Sequence, residues 1–106
     1  DLETAELPAG PYDLIVMVRY TNANLIRRLP PLLADGGCFL CEEHLETDAE
    51  VVGPSDPAFR VAPGALRDLV SGLEILHYGE GLFTDPDGRT AALARLLARR
   101  QPGNTD

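Results

Sequence analysis

Three groups of side chains could take part in chemistry, and they are Arg19-Tyr20, Cys38-x-x-Cys41 and Glu42-Glu43-His44. A glutamate beside a histidine can remove a proton from an attacking oxygen, nitrogen or sulfur, because histidine titrates near neutral pH. The competing interpretation of Glu42 and His44, which we favour from the sequence alone, is the solvated start of a loop. In both cases these residues follow a buried segment.

The two cysteines, Cys38 and Cys41, have the spacing of a redox pair or of half a metal site. A redox pair of this kind lies at a helix N-terminus, whereas this segment follows two glycines and has the apolar character of a strand. Residues three apart on a strand point to opposite faces, so the two sulfur atoms diverge. A zinc site would need more ligands, for which only His44 and His77 remain. We therefore expect free structural thiols, no metal site and a reducing, cytoplasmic location.

The composition is that of one small globular unit. The chain has 106 residues, of which 44% are hydrophobic and 25% charged, and its net charge is −8. Binding to DNA or RNA needs an excess of Lys and Arg, so we expect no nucleic-acid partner. There is no run of about 18 apolar residues, so we expect no membrane span.

Apolar segments predict a strand-helix-strand unit in the first part of the chain. Residues 12–18 and 38–41 form near-continuous apolar runs, which are typical of parallel strands buried on both faces. Leucines at helical spacing lie between them, over residues 25–33. This order favours a parallel pair of strands joined by a right-handed crossover.

The helix between these strands should be short and interrupted. Asn24 can cap its start, and Pro30 and Pro31 break it, because proline inside a helix costs about 3 kcal/mol. The run Asp35-Gly36-Gly37 is expected to end the helix, since glycine accepts the left-handed conformation of a C-cap.

The second part of the chain predicts a long loop, a helix and two further segments. Residues 42–60 are acidic and irregular, and Phe59 there could cover a substrate or merely hold the loop in place. Pro63 is a suitable first residue for a helix, and residues 73–78 form a third strand. The last segment, residues 90–100, fits a helix by its Ala and Leu content and a hairpin strand by its position, so propensity leaves it open.

Several short motifs occur in a fixed order along nearly the whole chain, and they are Asp1-Leu2-Glu3, Leu7-Pro8, Tyr12-Asp13-Leu14-Ile15-Val16, Arg19-Tyr20, Asp35-Gly36-Gly37 and Phe39-Leu40-Cys41-Glu42. The loop adds Gly53-Pro54, Pro57-x-Phe59 and Ala62-Pro63-Gly64. In this order the motifs resemble the C-terminal half of a class I S-adenosylmethionine-dependent methyltransferase, near the tellurite-resistance-type subgroup.

The resemblance implies an α/β fold with a partial Rossmann-like sheet. Its parallel strands would be followed by a C-terminal antiparallel hairpin strand, and helices would lie on the faces. The last segment would then be this antiparallel strand, placed between the second and third strands. Residues 1–106 would form the C-terminal part of a methyltransferase domain, with a lead-in loop over 1–11 and a disordered tail over 101–106.

The resemblance also implies cofactor contacts. Asp1 and Leu2 would contact the adenine of S-adenosylmethionine, and Arg19 and Tyr20 would form a wall beside its reactive methyl group. Each residue has an equally weighted alternative. Arg19 could form an ion pair with an acid near Glu42, and Tyr20 could be a half-buried packing residue. In a chain that begins at Asp1, we favour a frayed terminus over an adenine contact there.

Glu42, His44 and Phe59 are the residues that the resemblance and their position place close to the substrate, which would be a small-molecule methyl acceptor. No catalytic residue is identified. The family's G-x-G-x-G turn does not occur in the sequence, so we predict a methyltransferase portion that is inactive as an isolated chain. The alternative is a noncatalytic interaction module that self-associates through the exposed edge of the strand Leu14–Val18. A thiol-redox domain is a third, weaker hypothesis.

Overall fold

The computed structural model describes residues 9–102, so most of the predicted lead-in loop and tail lies outside the described residues. The elements in chain order are β1 (Tyr12–Val18), α1 (Ala23–Arg28), β2 (Leu33–His44), α2 (Ala65–Leu69), β3 (Glu74–Thr84) and β4 (Thr90–Arg99). A single 3-10 turn, Pro30–Leu32, follows α1, and another, Pro57–Phe59, precedes α2.

The four strands form one mixed sheet in the order β1-β2-β4-β3. β1 is parallel to β2, with Leu14 opposite Cys38 and Val18 opposite Glu42. β4 is antiparallel to both of its neighbours, β2 and β3. The predicted parallel pair and the predicted place of the last strand are therefore confirmed. The last segment is a strand in spite of its Ala and Leu content because it lies at the centre of the sheet, where its small side chains are buried.

Both helices pack on one face of the sheet, which we call the covered face. Leu25 and Ile26 of α1 and Leu66 of α2 join the same hydrophobic core as alternate residues of the strands, among them Phe39 and Leu96. The opposite face, which we call the open face, exposes a row of apolar side chains: Leu14, Val16, Val18 and Leu40. Strand residues alternate between these two environments because successive side chains point to opposite faces.

The predicted break in the first helix is confirmed, but its two ends differ from the prediction. Asn22, not Asn24, caps α1, because its side chain accepts a hydrogen bond from the N–H of Leu25 at 3.0 Å. The helix ends before Pro30. Asp35-Gly36-Gly37 is not its C-cap but part of β2, where Gly36 has φ +77° and the strand is irregular.

β1 has the bounds of the apolar run that predicted it, whereas β2 and β3 are longer than theirs. β2 continues through Glu42, Glu43 and His44, so the preferred interpretation of these residues as a solvated loop start was wrong. The reason is that β4 pairs with β2 as far as His44 and buries polar side chains that a sequence pattern assigns to a loop. α2 also begins later than predicted, at Ala65 rather than Pro63.

Candidate functional site

A pocket of about 450 Å³ lies where β1 ends, beside the loop that follows β2, and its lining residues are Arg19, Tyr20, Thr21, Asn22, Pro54 and Phe59. The carboxyl ends of parallel strands are the usual place for ligands in open α/β sheets. Here β1 and β2 end side by side, since Val18 pairs with Glu42. The structure therefore brings three predicted site residues, Arg19, Tyr20 and Phe59, to one cavity.

Arg19 directly follows β1 and holds three elements together. Its Nε donates to Glu42 Oε2 at 2.8 Å, and its two terminal nitrogens donate to the carboxylate of Asp85 at 2.8 and 3.1 Å. These hydrogen bonds, Asp85 first, raise the pKa of Arg19, and Arg19 in turn lowers the pKa of Asp85. The predicted alternative of an ion pair near Glu42 is thus present. Three N–H groups of the guanidinium are thus bonded to the two carboxylates, and Arg19 also lines the pocket.

The backbone of Arg19 is unusual, because its φ is +56°. A residue other than glycine in this left-handed region costs on the order of 1 kcal/mol. The N–H of Arg19 nevertheless continues the ladder by donating to the carbonyl of Glu42 at 2.6 Å. The turn at Arg19 ends β1 and sends Tyr20 and Thr21 along the rim of the pocket.

Glu42 lies on the open face beneath Arg19 and is held from two sides. Its second oxygen, Oε1, accepts from Arg95 Nε at 2.9 Å, and the Arg95 guanidinium lies 3.9 Å from the ring centre of Phe83. Both carboxylate oxygens therefore have a cationic donor. Glu42 is not among the residues that line the pocket, and its predicted place beside the substrate stays a prediction.

His44 is 8% exposed and is packed under the loop rather than directed into the pocket. Within the described residues its Nδ1 has no hydrogen-bond partner. Burial, followed by the charges of Arg19 and Arg60, lowers the pKa of His44, so the ring is neutral near pH 7. Gly53, with φ +115°, makes room for this ring, because a Cβ there would lie 2.8 Å from Nδ1.

The sequence identified Glu43 only as a member of the group Glu42-Glu43-His44 and gave it no role of its own. Its side chain is on the covered face and is 0% exposed. Thr21 Oγ1 lies 3.1 Å from its Oε1, and Cys41 Sγ lies 3.5 Å from its Oε2. Burial raises the pKa of Glu43 to about 7, although the bonds from Thr21 and Cys41 act in the opposite direction. The only signal in the sequence is alternation, since residue 43 shares a face with Phe39 and Cys41.

Two aromatic rings border the pocket, and both are accessible. Tyr20 is 42% exposed and Phe59 is 54% exposed. Phe59 ends a 3-10 turn that Asp56 caps, and its carbonyl accepts from Thr21 Oγ1 at 2.8 Å. Arg60 fixes the same loop by donating to the carbonyls of Pro54 and Leu45, at 2.9 and 3.0 Å. The loop therefore both holds itself in place and presents Phe59 to the cavity.

The remaining sequence predictions concern thiols, metals and the chain start. Both cysteines are free, and burial, followed by the charge of Glu43, raises the pKa of Cys41, which disfavours a redox role. Residues 9–102 contain no group of three or more His, Cys, Asp or Glu that could hold a metal ion. No helix in this range has the length and apolar character needed to cross a bilayer. Asp1 and Leu2 lie outside the described residues.

The chain is similar to solved structures of methyltransferases. Neither a scan against models of protein families nor a search of curated proteins finds a match. TehB from Haemophilus influenzae aligns with a TM-score of 0.75 and 26% identity, over 95% of this chain and 39% of TehB. A SAM-dependent methyltransferase from Methanosarcina mazei aligns with a TM-score of 0.66 and 10% identity, over 97% of this chain and 66% of that protein.

The same fold also carries other chemistry. The [4+2]-cyclase SpnF aligns with a TM-score of 0.65 and 15% identity, over 97% of this chain and 56% of SpnF. Identities this low show the fold alone, and a fold hosts more than one activity. The predicted resemblance to S-adenosylmethionine-dependent methyltransferases is confirmed at the level of the fold, and the chain spans only part of the length of the proteins that it matches.

Proposed function

We propose that this chain is the C-terminal portion of an S-adenosylmethionine-dependent methyltransferase that acts on a small molecule. The observation that carries the proposal is the sheet order β1-β2-β4-β3, aligned with SAM-dependent methyltransferases, with a pocket at the carboxyl end of β1. The pocket volume and the two accessible aromatic rings suit a small, flat methyl acceptor. The free cysteines and the acidic net charge support a cytoplasmic protein without a nucleic-acid partner.

The described residues fit one wall of a site for S-adenosylmethionine. When bound, this cofactor supplies a methyl group on a sulfonium cation. The exposed ring of Tyr20 is a suitable neighbour for a cation, and Arg19 does not oppose it, because its charge is balanced by Glu42 and Asp85. In the full-length protein, Asp1 and Leu2, which lie outside the described residues, would contact the adenine. The sequence contains no G-x-G-x-G turn, so we propose that the isolated chain is inactive.

The test is calorimetric titration with S-adenosylhomocysteine, on the full-length protein and on the 106-residue chain. We expect the full-length protein to bind and the chain alone to bind no more tightly than about 10 μM, which corresponds to about −7 kcal/mol. Tyr20→Ala should weaken binding by the full-length protein, whereas Tyr12→Ala at the start of β1 should not. Tight binding by the chain would contradict the proposed inactivity, and no binding by the full-length protein would overturn the proposed function.

The second candidate is a noncatalytic module that self-associates through β1. The observation that favours it is that β1 lies at the edge of the described sheet and exposes Leu14, Val16 and Val18 on the open face. An edge strand of this kind can pair with another strand. Sedimentation over a range of concentrations tests it, and a monomer at every concentration would remove this candidate.

A further inference from the structure

The buried carboxyl group of Glu43 lies directly behind a hydroxyl group that lines the pocket. Thr21 is one of the lining residues, and its Oγ1 is 3.1 Å from Glu43 Oε1. Glu43 itself is 0% exposed, so it does not contact a molecule in the pocket directly, and the Thr21 hydroxyl group is the lining side-chain group bonded to it. The proposed function leaves this pair of residues without a role.

The hydrogen bonds of Thr21 couple its hydroxyl group to the protonation state of Glu43. Thr21 has one hydroxyl hydrogen but two neighbouring acceptors, the carbonyl oxygen of Phe59 at 2.8 Å and Glu43 Oε1 at 3.1 Å. When Glu43 is ionised, the hydrogen can be donated to its carboxylate. When Glu43 is protonated, Glu43 donates to Thr21 and Thr21 donates to Phe59. Thr21 and Glu43 are thus joined by a hydrogen bond in both states.

We propose that Thr21 and Glu43 form a proton relay for a methyl acceptor whose nucleophilic atom carries a hydrogen, such as a thiol, a phenol or an amine. The relay rests on the proposed methyltransferase function. The hydrogen of the acceptor moves to Thr21 Oγ1 while the hydrogen of Thr21 moves to Glu43 Oε1. The electron pair left on the acceptor forms the bond to the methyl carbon, and the electrons of the broken carbon–sulfur bond stay on the sulfur of the methyl donor. The new Thr21 hydrogen is then accepted by the Phe59 carbonyl.

The surroundings of Glu43 suit a group that gains and loses a proton near neutral pH. On β2 it faces the thiol of Cys41 and has Glu42 as a charged neighbour. The loop after β1 contributes Thr21 and a backbone hydrogen bond from Tyr20. The cross-strand partner of Glu43 on β4 is the uncharged Ala94. With a pKa of about 7, Glu43 has both forms available.

The experiment combines two measurements on the full-length protein with the variants Thr21→Val, Thr21→Ser and Glu43→Gln. Thr21→Val keeps the shape of the side chain but removes the hydroxyl group, and Thr21→Ser keeps the hydroxyl group. Glu46→Gln, at an exposed loop position, is the matched carboxylate control. The first measurement is the pKa of Glu43 from the carbon-13 shift of its carboxyl group. The second is the pH dependence of methyl transfer at saturating methyl donor.

The relay predicts that Thr21→Val raises the pKa of Glu43, because the donor to the carboxylate is lost, and that Thr21→Ser restores it. Methyl transfer should decrease below about pH 7 in the unmodified protein, since protonated Glu43 cannot accept a proton. Glu43→Gln should slow transfer by about 100-fold and abolish this pH dependence. Thr21→Val should behave like Glu43→Gln, and Glu46→Gln like the unmodified protein.

The possible failures are distinguishable. If S-adenosylhomocysteine does not bind, the proposed function fails and the relay fails with it. If it binds and transfer occurs, but Glu43→Gln keeps the decrease below pH 7, the relay alone is overturned. An unchanged pKa of Glu43 in Thr21→Val would also overturn it, because the hydroxyl group would then not donate to the carboxylate.

Discussion

The two faces of the sheet differ although they are built from the same strands. Phe39 is 0% exposed on the covered face, whereas its neighbour Leu40 is 43% exposed on the open face. The adjacent acids differ in the same way, since Glu43 is buried beside a thiol and a hydroxyl group and Glu42 is held by two arginines. The core of this chain is therefore built on the covered face, and the apolar side chains that β1 and Leu40 present on the open face contribute little to it.

The largest expected effect is the difference in stability loss between alanine substitutions at Phe39 and at Leu40. Phe39→Ala should lower the free energy of unfolding by about 3–5 kcal/mol, because it leaves a cavity beneath the helices. Leu40→Ala should cost less than about 1 kcal/mol, since Leu40 is already partly in water. Urea denaturation of both variants measures the difference. Equal losses would mean that the open face is covered in solution and that the contrast between the faces is wrong.

The next effect is a pH dependence of stability caused by Glu43. Its pKa is raised from 4.5 to about 7 in the folded chain, so folding favours the protonated form. The contribution is fully present below pH 4.5 and is lost as the pH rises through 7, with a total of about 3 kcal/mol. Asp85 and Asp87 have lowered pKa values, so their contributions change only at more acidic pH.

Glu43→Gln should remove most of this pH dependence, and Glu42→Gln on the open face should keep it. Denaturation between pH 4.5 and 8 measures both variants, provided that both remain folded at pH 6. A constant free energy of unfolding in the unmodified chain over this range would show that Glu43 is not buried as described.

The predictable part of the fold is the part that local patterns determine. The apolar runs at 12–18 and 38–41 are long enough to identify parallel strands, and Pro30 and Pro31 stop the helix that precedes them. The last strand could not be assigned from its own residues. Its Ala and Leu side chains fit a helix equally well, and only the resemblance to a family placed it between two other strands.

The candidate site was predictable in position and less so in roles. Arg19, Tyr20 and Glu42 could be predicted as site residues because they lie at the ends of β1 and β2, and ligand sites form where parallel strands end. The pairing of Asp85 with Arg19 could not be predicted, because the two residues are 66 positions apart in the sequence. Asp85 also lies in a segment whose residues are typical of a turn, so nothing in its composition indicates an ion pair. The burial of Glu43 could not be predicted for another reason, because two adjacent glutamates are typical of a solvated loop unless the strand is known to continue.

A smaller effect is expected from the ion pairs of the open face. Arg19→Ala removes the bonds to Glu42 and Asp85 and should cost about 1–2 kcal/mol, less in 1 M salt than at low ionic strength. Arg19→Gly removes the same bonds but adopts the positive φ without strain, so it should be about 1 kcal/mol more stable than Arg19→Ala. Denaturation of both variants at low and high salt concentration tests these expectations. If Arg19→Gly were less stable than Arg19→Ala, the argument from the positive φ would be wrong.

The smallest effect on folding is expected at the exposed edge, where the effect on association should be larger. Val16→Lys places a charge on the open face of β1 and should change the free energy of unfolding by less than about 0.5 kcal/mol. Ile15→Lys, one residue earlier, places the same charge against the core and should be clearly destabilising, so it controls for the charge itself. If β1 recruits a second copy, Val16→Lys should lower the sedimentation coefficient at high concentration, because a charge on an edge strand opposes pairing. If the protein self-associates and Val16→Lys leaves the sedimentation coefficient unchanged, the contact lies elsewhere and β1 is not the strand through which two copies pair.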